Sequence, residues 1–222
     1  MDGRARELAG KVALVTGAGS GMGKAAAQLL ARQGASIGAL GRNERKVSAT
    51  VKEIEDGGGH AIPLVADIGD PKEMEDAVTK LVGKYGRLDI VFANAGINGV
   101  WAPIEDIAPE EWDQTIRINL TGTFLTMRYA VPHLKKQGGS VIITSSVNGT
   151  RMFSNTGATA YSTTKAGQVA FTQMLALELA PHKVRVNVIC PGAIETDINE
   201  TTEKRDLDSI QEPVLFPRGT FR

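Results

Sequence analysis

Tyr161 and Lys165 are the two ends of the run Tyr-Ser-Thr-Thr-Lys. On a helix this spacing places both side chains on one face, about one turn apart. A free phenol, with a pKa of about 10, is a poor acid or base near neutral pH. A neighbouring ammonium favours the phenolate and lowers that pKa. The pair is therefore predicted to exchange a proton with a substrate at cellular pH, although a solvated surface pair is the commoner meaning of this spacing.

A glycine-rich turn near the start of the chain predicts a phosphate-binding unit. Residues 12–15 are apolar, residues 16–23 read Thr-Gly-Ala-Gly-Ser-Gly-Met-Gly, and residues 24–33 have a helical pattern. Glycines let the backbone approach a pyrophosphate, and the N-terminus of the following helix faces its charge. A P-loop is excluded because Ala18 and Ala25 stand where Gly and Ser or Thr are required. The strict G-x-G-x-x-G pattern fails at Met22, and a plain tight turn is the alternative.

The apolar runs predict an α/β fold. Residues 12–15, 35–40, 60–65, 88–93, 140–144 and 184–190 have the pattern of strands and alternate with helical stretches, one of which spans 109–136. Such alternation is typical of a parallel sheet covered on both faces. Pro63 cannot donate to a ladder, which places the third strand at an edge. Asn43 and Asp70, the latter followed by Pro71, are predicted N-caps. We predict one Rossmann-like, doubly wound domain over residues 1–222, with strand order 3-2-1-4-5-6.

Composition excludes several classes of function. Lys and Arg number 25, as do Asp and Glu, so the chain lacks the basic excess typical of nucleic-acid binding. No apolar run is long enough for a membrane span, and no signal peptide is expected. The single cysteine, Cys190, is predicted to be a small core residue in the last strand and suits a reducing, cytoplasmic location. The three histidines are scattered and predict no metal site.

These motifs, in this order, resemble the short-chain dehydrogenase/reductase family from about residue 8 to residue 197. The matching elements are Thr16-Gly-x-x-x-Gly-x-Gly23, Asp67, Asn94-Ala-Gly96, Asn119, Ser146, Tyr161-x-x-x-Lys165, Asn187, and Pro191-Gly192 with Thr196. The resemblance implies an NAD(P)-dependent oxidoreductase that transfers a hydride between the nicotinamide cofactor and a ketone or secondary alcohol. The cofactor would supply the hydride, and the protein would supply orientation and a proton.

The resemblance also implies four catalytic residues. Tyr161 would be the general acid or base, and Lys165 would lower its pKa and hold the nicotinamide ribose. Ser146 would donate a hydrogen bond to the substrate oxygen, and it is chosen over Ser145 because Val-x-Gly follows it. Asn119 would hold a water beside Lys165 as a proton relay, or would be a buried amide that satisfies helix backbone groups.

A larger set is implied to bind the cofactor. Asp67 would contact adenine or merely cap a turn, Asn94 would support the sheet and the cofactor or form a turn, and Thr196 would bond the nicotinamide carboxamide. Arg42 follows the second strand, where no acid is present for the ribose hydroxyl, and could meet a 2′-phosphate; this favours NADP(H) over NAD(H). The full set is Gly17, Ser20, Gly21, Met22, Gly23, Arg42, Asp67, Asn94, Tyr161, Lys165, Pro191, Gly192 and Thr196.

The C-terminal part departs from the family pattern. Family members continue with another helix and a seventh strand, whereas this sequence stops at Arg222. We therefore expect a C-terminally truncated chain whose sixth strand has an open edge, with residues 195–222 a lid or tail that has lost its anchor. The alternative function is a dinucleotide-binding or partner-binding protein with weak or no turnover.

The resemblance implies a homodimer through the helices at 109–136 and 159–181, whereas a tetramer is not expected without the missing elements. The substrate pocket would come from the loops at 97–106 and 148–157 and from residue 193 onward. Trp101, Met152 and Phe153 hint at an apolar surface there. Trp101 would either line the mouth of the pocket or cover the loop. The sequence does not identify the substrate.

Overall fold

The computed structural model describes residues 6–150, 156–194, 196, 198, 200 and 202–210. Its strands are β1 Val12–Thr16, β2 Ser36–Gly41, β3 His60–Val65, β4 Ile90–Ala93, β5 Val100–Trp101, β6 Gly139–Thr144, β7 Val184–Ile189 and β8 Glu203–Lys204. Its α-helices are α1 Gly21–Arg32, α2 Glu44–Asp56, α3 Pro71–Tyr85, α4 Pro109–Ile116, α5 Gly122–Leu134 and α6 Thr159–Leu179. None of the described helices is both long enough and apolar enough to cross a membrane.

Six of the strands form one parallel sheet in the order β3-β2-β1-β4-β6-β7. Because the two-residue strand β5 lies outside this sheet, the order is the predicted 3-2-1-4-5-6, and the predicted fold is confirmed. Pro63 lies in β3 at the edge of the described sheet, where a missing N–H is tolerated. The chain changes direction across the sheet between β1 and β4, which opens a crevice at the carboxyl ends of these strands.

The core lies on both faces of the sheet because successive strand residues point to opposite sides. In β1, Leu14 packs into one apolar cluster with Leu81 of α3, whereas Val15 packs into the other with Ala27 of α1. Burying a leucine or valine side chain of this kind contributes about 1.5–3 kcal/mol to folding. The two clusters hold the helices against the sheet and leave its carboxyl edge as the place for a site.

Two predicted helix starts are confirmed by their capping bonds. The Asn43 Oδ1 accepts a hydrogen bond from the Lys46 N–H at 3.0 Å. The Asp70 Oδ1 accepts from the N–H groups of Lys72 at 2.8 Å and Glu73 at 2.9 Å. Each cap satisfies backbone donors that the helix itself leaves unpaired.

Several predicted boundaries were wrong. The first helix begins at Gly21 rather than at residue 24, so the glycine turn is already partly helical. The fourth strand begins at Ile90 rather than at residue 88, because the Asp89 carboxylate accepts from the Val12 N–H at 2.9 Å and pairs with Arg87. The last large strand ends at Ile189 rather than at residue 190. Cys190 therefore follows the strand and is half-buried, so its prediction as a core strand residue was wrong.

The predicted continuous helix at 109–136 is interrupted. Between α4 and α5 the residues Arg117–Thr121 form a π-helical turn, in which the Gly122 N–H donates to the Arg117 carbonyl five residues earlier. The wider turn brings Asn119 into the interior, where none of its surface is exposed. Single π-turns inside helices are frequent at functional sites.

The C-terminal segment from residue 195, which was predicted to have lost its anchor, is bound to the loop after β4 in the part that the structure describes. Strand β8 pairs with β5, and the Arg205 N–H donates to the Trp101 carbonyl at 2.9 Å. The Arg205 guanidinium donates to the Asp106 carbonyl at 3.0 Å and forms an ion pair with Glu111. The loop at 97–106 thus contains a strand and a short 3-10 helix, Ile104–Asp106. Residues 211–222 lie outside the described residues.

Candidate active site

Tyr161 and Lys165 lie in the first two turns of α6, as their spacing predicts. The Lys165 Nζ is 5.5 Å from the centroid of the Tyr161 ring. Only 4% of Lys165 is exposed, and its Nζ donates to the Thr144 carbonyl at the end of β6 at 2.9 Å. Burial lowers the pKa of Lys165 to about 8, although the Cys190 thiol acts in the opposite direction. Near pH 7 the side chain is therefore still mostly an ammonium.

The pKa of Tyr161 is raised, not lowered. Burial of the ring raises it, and a hydrogen bond with the Ser146 side chain offsets only part of that effect. The expected lowering by Lys165 was therefore wrong, because moving the phenolate out of water costs more free energy than its neighbours return. A phenol with a raised pKa stays protonated at neutral pH and so holds a proton to donate, although it is a weaker acid than a free phenol.

The two candidate serines have different environments. The Ser146 Oγ lies beside Tyr161 and accepts from the Asn148 N–H at 3.2 Å, at the start of the 3-10 turn Val147–Gly149. The Ser145 Oγ donates to the Lys165 carbonyl at 2.7 Å and so joins the end of β6 to α6. This geometry favours Ser146 as the residue that faces a substrate oxygen, and that assignment stays a prediction.

Asn119 binds backbone groups of the loop that follows β4. Its Oδ1 accepts from the Ile97 N–H at 2.8 Å, and its Nδ2 donates to the Ile97 carbonyl at 2.8 Å. The Nδ2 also donates to the Thr164 Oγ1 at 3.1 Å, and that hydroxyl donates to the Tyr161 carbonyl at 2.7 Å. The side chain is thus the buried, backbone-satisfying amide of the alternative interpretation, although the backbone it satisfies belongs to a loop. A role in a water relay stays a prediction.

The glycine turn is crowded, which explains the residue type at its last position. A Cβ on Gly23 would lie 2.1 Å from the Gly17 carbonyl oxygen and 2.8 Å from the Asn94 Nδ2. Gly17 and Gly21 have φ angles of +70° and +50°, which side chains other than glycine rarely adopt. The turn therefore presents bare backbone and the N-terminus of α1 to the crevice, an arrangement that suits an anion.

Asn94 connects three strands. The Thr16 Oγ1 accepts from the N–H groups of Asn94 at 2.9 Å and Ala95 at 3.0 Å. The Asn94 Nδ2 donates to the Thr16 carbonyl at 3.3 Å, and the Thr144 Oγ1 donates to the Asn94 Oδ1 at 3.3 Å. The ends of β1, β4 and β6 are therefore fixed relative to one another. The hydroxyl of Thr16 is a contribution that sequence reasoning missed, although the residue opens the glycine motif.

A cavity of about 280 Å³ opens at the carboxyl edge of the sheet. Eight of the predicted cofactor residues line it, namely Gly17, Ser20, Gly21, Met22, Arg42, Asp67, Asn94 and Thr196. Thr196 lies over the glycine turn, since its Cγ2 would be 3.0 Å from a Cβ on Gly21. The remaining wall is mostly apolar or backbone and consists of Gly41, Lys46, Ala66, Ile68, Ala95, Gly96, Ile97, Ile118 and Ile198.

The other predicted residues lie outside the cavity lining; they are Gly23, Asn119, Ser146, Tyr161, Lys165, Pro191 and Gly192. Gly96 connects the two regions, because a Cβ on it would lie 3.6 Å from the Lys165 Nζ and 3.0 Å from the Asn119 Oδ1. The Pro191 carbonyl accepts from the Val147 N–H at 3.0 Å, next to Ser146. Apart from its two chain neighbours, no atom of the described residues lies within 4 Å of where a Cβ on Gly192 would be.

The cavity lining also includes charged side chains. Arg42 is exposed at the end of β2, and Lys46 lies four residues further on, in α2. Lys46 was missed; it lies in the first turn of α2, and its Cβ would be 3.0 Å from a Cβ on Gly19 of the glycine turn. Asp67 fulfils its turn-capping alternative, because its Oδ1 accepts from the Gly69 N–H at 2.8 Å. Its Oδ2 accepts from Arg117 at 3.0 Å while the residue also lines the cavity.

Other predicted side chains have no place in this geometry. The Trp101 Nε1 donates to the Asn98 carbonyl at 3.2 Å, and the Lys204 Nζ lies 5.4 Å from a Trp101 ring centroid, so Trp101 covers its own loop. Met152 and Phe153 lie outside the described residues. Within the described ranges, no group of three or more His, Cys, Asp or Glu side chains could hold a metal ion.

Comparison with known proteins agrees with this fold and site. The family model described as short chain dehydrogenase matches residues 11–207. A curated relative, 3-oxoacyl-[acyl-carrier-protein] reductase FabG of Thermotoga maritima, is 40% identical over 215 residues, which are 96% of this chain and 85% of the relative. The crystal structure of a 3-ketoacyl-ACP reductase from Sinorhizobium meliloti 1021 is 56% identical, with a TM-score of 0.88 over 94% of this chain and 82% of that one.

Two further solved structures carry cofactors. A 3-ketoacyl-(acyl-carrier-protein) reductase from Brucella melitensis, in complex with NADH, is 34% identical with a TM-score of 0.82, over 88% of this chain and 80% of that one. A short-chain dehydrogenase from Burkholderia cenocepacia J2315, in complex with NADP, is also 34% identical with a TM-score of 0.82, over 86% and 78%.

A doubly wound sheet with a cavity lined by a glycine turn at its carboxyl edge, and a Ser–Tyr–Lys group beside it, defines a class of nicotinamide-dependent oxidoreductases. The chain belongs to the short-chain dehydrogenase/reductase family. It is an NAD(P)-dependent oxidoreductase, and the alternative of a binding protein without turnover is not favoured.

Proposed function

We propose that this enzyme reduces a ketone to a secondary alcohol, with Tyr161 as the proton donor to the carbonyl oxygen. The nicotinamide cofactor, when bound, would supply the hydride to the carbonyl carbon. The Ser146 hydroxyl donates a hydrogen bond to the same oxygen, and the Lys165 ammonium holds the nicotinamide ribose. The observation that carries this proposal is the hydrogen bond between Ser146 and Tyr161, with the buried Lys165 ammonium 5.5 Å from the Tyr161 ring.

The environment of each group supports its proposed task. Burial keeps the Tyr161 phenol protonated, so a proton is available as negative charge develops on the carbonyl oxygen. Lys165, with a pKa of about 8, supplies a positive charge near that oxygen at neutral pH. In the reverse direction the phenolate must accept the alcohol proton, which the raised pKa of Tyr161 opposes.

The test is Tyr161→Phe, which removes only the hydroxyl. We expect its kcat to fall by about 100-fold or more, with the Kd for NADPH unchanged within about twofold, because Tyr161 lies outside the cavity lining. The matched control is Tyr129→Phe, which removes a phenol from the half-buried α5 position and should leave turnover intact. Retention of more than about one tenth of the kcat in Tyr161→Phe would refute the assignment.

For the cofactor we propose a preference for NADP(H). The support is the pair of basic side chains, Arg42 and Lys46, that line the cavity. A charge-assisted hydrogen bond to a phosphate contributes about 1.5–3 kcal/mol, so Arg42→Ala should weaken NADPH binding about tenfold or more. NADH binding should change by less than about threefold. Arg45→Ala, an exposed arginine outside the cavity lining, is the matched control. Equal losses for both nucleotides would contradict the proposal.

For the substrate class we propose 3-oxoacyl thioesters, because the names of the Thermotoga maritima and Sinorhizobium meliloti relatives specify this reaction. NADPH oxidation measured with a 3-oxoacyl thioester and with simple ketones of similar size would test this. Turnover of the simple ketones alone would support the proposed ketone reduction but contradict the proposed substrate class. NADPH binding without turnover of any carbonyl would overturn the enzymatic proposal for this chain.

We also propose a homodimer through α4, α5 and α6. Exposed apolar side chains lie on two of these helices: Phe124 on α5, and Met174 and Leu177 one turn apart on α6. Light scattering on the wild type and on Leu177→Glu should give a dimer and a smaller species respectively, and a wild-type monomer would overturn the proposal. We further propose that the whole chain forms a single catalytic domain. We also propose a cytoplasmic location, which the single cysteine, Cys190, supports.

A further inference from the structure

Gln168 is a fully buried polar residue that none of the sequence motifs includes. It lies on α6, three residues after Lys165, and only 1% of its surface is exposed. Its Nε2 donates to the Asn119 carbonyl at 2.9 Å and to the Thr123 Oγ1 at 2.7 Å. Because a carbonyl oxygen can only accept, the contact with Asn119 also fixes which end of the amide faces the π-turn.

The Asn119 carbonyl is therefore held from two sides. The Thr123 Oγ1 donates to it at 2.7 Å from within the same helix, and Gln168 donates to it from α6. Regular helices satisfy a carbonyl with a backbone N–H four residues later. The π-turn disturbs this ladder locally, so side-chain donors that converge on one carbonyl stabilise an otherwise unfavourable backbone arrangement.

The burial of Gln168 has a cost that packing alone does not explain. Its Oε1 is buried and has no hydrogen-bond partner among the residues that the structure describes. Leaving such an acceptor unpaired costs about 1–3 kcal/mol, and a leucine of similar size would avoid the cost. The groups that hydrogen-bond to Gln168 belong to Asn119, Thr123 and Thr172 and are uncharged. The polar side chain is therefore not there to neutralise a charge on these residues.

We propose that Gln168 is a positioning residue, which fixes the π-turn against α6 and thereby sets the Asn119 amide relative to Lys165. The Asn119 amide is in turn hydrogen-bonded to the Ile97 backbone. The preceding residue is Gly96, on which a Cβ would lie 3.0 Å from the Asn119 Oδ1 and 3.6 Å from the Lys165 Nζ. One side chain of α6 thus orients the loop that forms a wall of the cofactor cavity. This inference rests on the proposed function, because it assigns Gln168 a part in the same reaction.

The first test is Gln168→Leu, which keeps the approximate volume and removes both hydrogen bonds. We expect kcat to fall about tenfold or more, since a small displacement of positioned groups is costly for catalysis. The Kd for NADPH should change less than about threefold, because Gln168 itself is not part of the cavity lining. Thr172→Val is the matched control: it removes a buried hydroxyl that donates to the Gln168 carbonyl and leaves the contact with Asn119 in place.

A second variant separates positioning from simple loss of stability. In Gln168→Glu a buried, protonated carboxyl can donate one hydrogen bond to the Asn119 carbonyl, whereas a carboxylate cannot. Burial raises the pKa of such a carboxyl above about 4.3. The kcat of Gln168→Glu relative to wild type should therefore fall as pH rises through that pKa, and the same ratio for Thr172→Val should stay flat.

Hydrogen exchange supplies a readout that does not depend on activity. The Ile97 N–H, which donates to the Asn119 Oδ1, should exchange about tenfold faster or more in Gln168→Leu than in wild type or Thr172→Val. If wild type fails to turn over any carbonyl, the proposed function is wrong, and exchange at Ile97 still decides the role of Gln168. Unchanged exchange at Ile97 in Gln168→Leu, or an equal fall in kcat in Thr172→Val, would overturn the inference.

Discussion

Removal of the Lys165 ammonium should change how the stability of the protein depends on pH. In the folded protein the pKa of Lys165 is about 8, whereas its ordinary value is 10.5. The folded state therefore releases this proton at a lower pH than the unfolded state does. Between these two values the unfolded state binds more protons, so the free energy of unfolding must rise with pH.

The size of the effect follows from the two pKa values. Their difference corresponds to about 3 kcal/mol, which is the penalty for burying the charged ammonium below pH 8. About 2 kcal/mol of this penalty should be relieved between pH 7 and pH 9.5. For a chain of 222 residues, that corresponds to a rise in Tm of about 4–8 °C.

The assay compares wild type with Lys165→Met by urea unfolding at several pH values without cofactor. The difference between the two proteins isolates Lys165, because all other groups titrate in both. Wild type should gain about 2 kcal/mol relative to Lys165→Met between pH 7 and pH 9.5. Lys84→Met, which removes an exposed lysine on α3, should run parallel to wild type.

A wild-type minus Lys165→Met difference that is flat with pH would refute this reasoning. It would mean that the ammonium is solvated in the folded state, despite the 4% exposure of the residue. A difference that falls with rising pH would mean that Lys165 has gained a charged partner. Either result would also contradict the expectation that Lys165 loses its positive charge next to Tyr161 above about pH 8.

Two further predictions concern the glycine turn and the serines. Gly23→Ala should abolish measurable NADPH binding, because its Cβ would lie 2.1 Å from the Gly17 carbonyl oxygen, and normal NADPH binding by this variant would contradict the geometry. The control is Gly83→Ala, whose Cβ would have no atom of the described residues within 4 Å and which should raise the free energy of unfolding by about 0.5–1 kcal/mol. Ser146→Ala should lower kcat about 10- to 100-fold with NADPH affinity retained, and Ser145→Ala should instead lower the free energy of unfolding by about 1 kcal/mol. The opposite pattern in steady-state kinetics and urea unfolding would exchange the roles of the two serines.

The sheet could be predicted because its signals are local. Each large strand is a short apolar run, and each is followed by a helical pattern, so alternation alone implies a parallel, doubly wound sheet. Pro63 marked the edge strand through the N–H that it lacks. The caps at Asn43 and Asp70 were also readable, because a capping side chain bonds to backbone only two or three residues away.

The π-turn and the short strands could not be predicted. A single π-turn shifts the helical spacing by only one residue, which is too small a change to recognise in the pattern, so residues 109–136 read as one helix. Strands β5 and β8 have two residues each, which is too short to show alternation. Their pairing joins segments about 100 residues apart, and no local sequence pattern indicates that these two segments pair.

The candidate site was predictable in its residues but not in its energetics. Spacing placed Tyr161 and Lys165 on one helix face, and eight of the residues that line the cavity were predicted to bind the cofactor, whereas Lys46 and the apolar wall were not. The sign of the change in the Tyr161 pKa depends on how much of the ring is withdrawn from water, which only the packed structure reveals. Gln168 was missed for the same reason, because a buried amide is recognised by its surroundings rather than by its sequence position.

The bonds between Thr16 and the Asn94–Ala95 backbone have a consequence for folding. They join residues 78 and 79 positions apart, across the strand pair at which the sheet changes direction. Closing so long a loop is entropically costly, so contacts of this kind form late and slow the search for the native state. The first three strands and their helices can assemble earlier, but the glycine turn gains its opposite wall only when β4 docks. We therefore expect added nucleotide to capture the last folding step and to raise refolding yield rather than the rate of the first collapse.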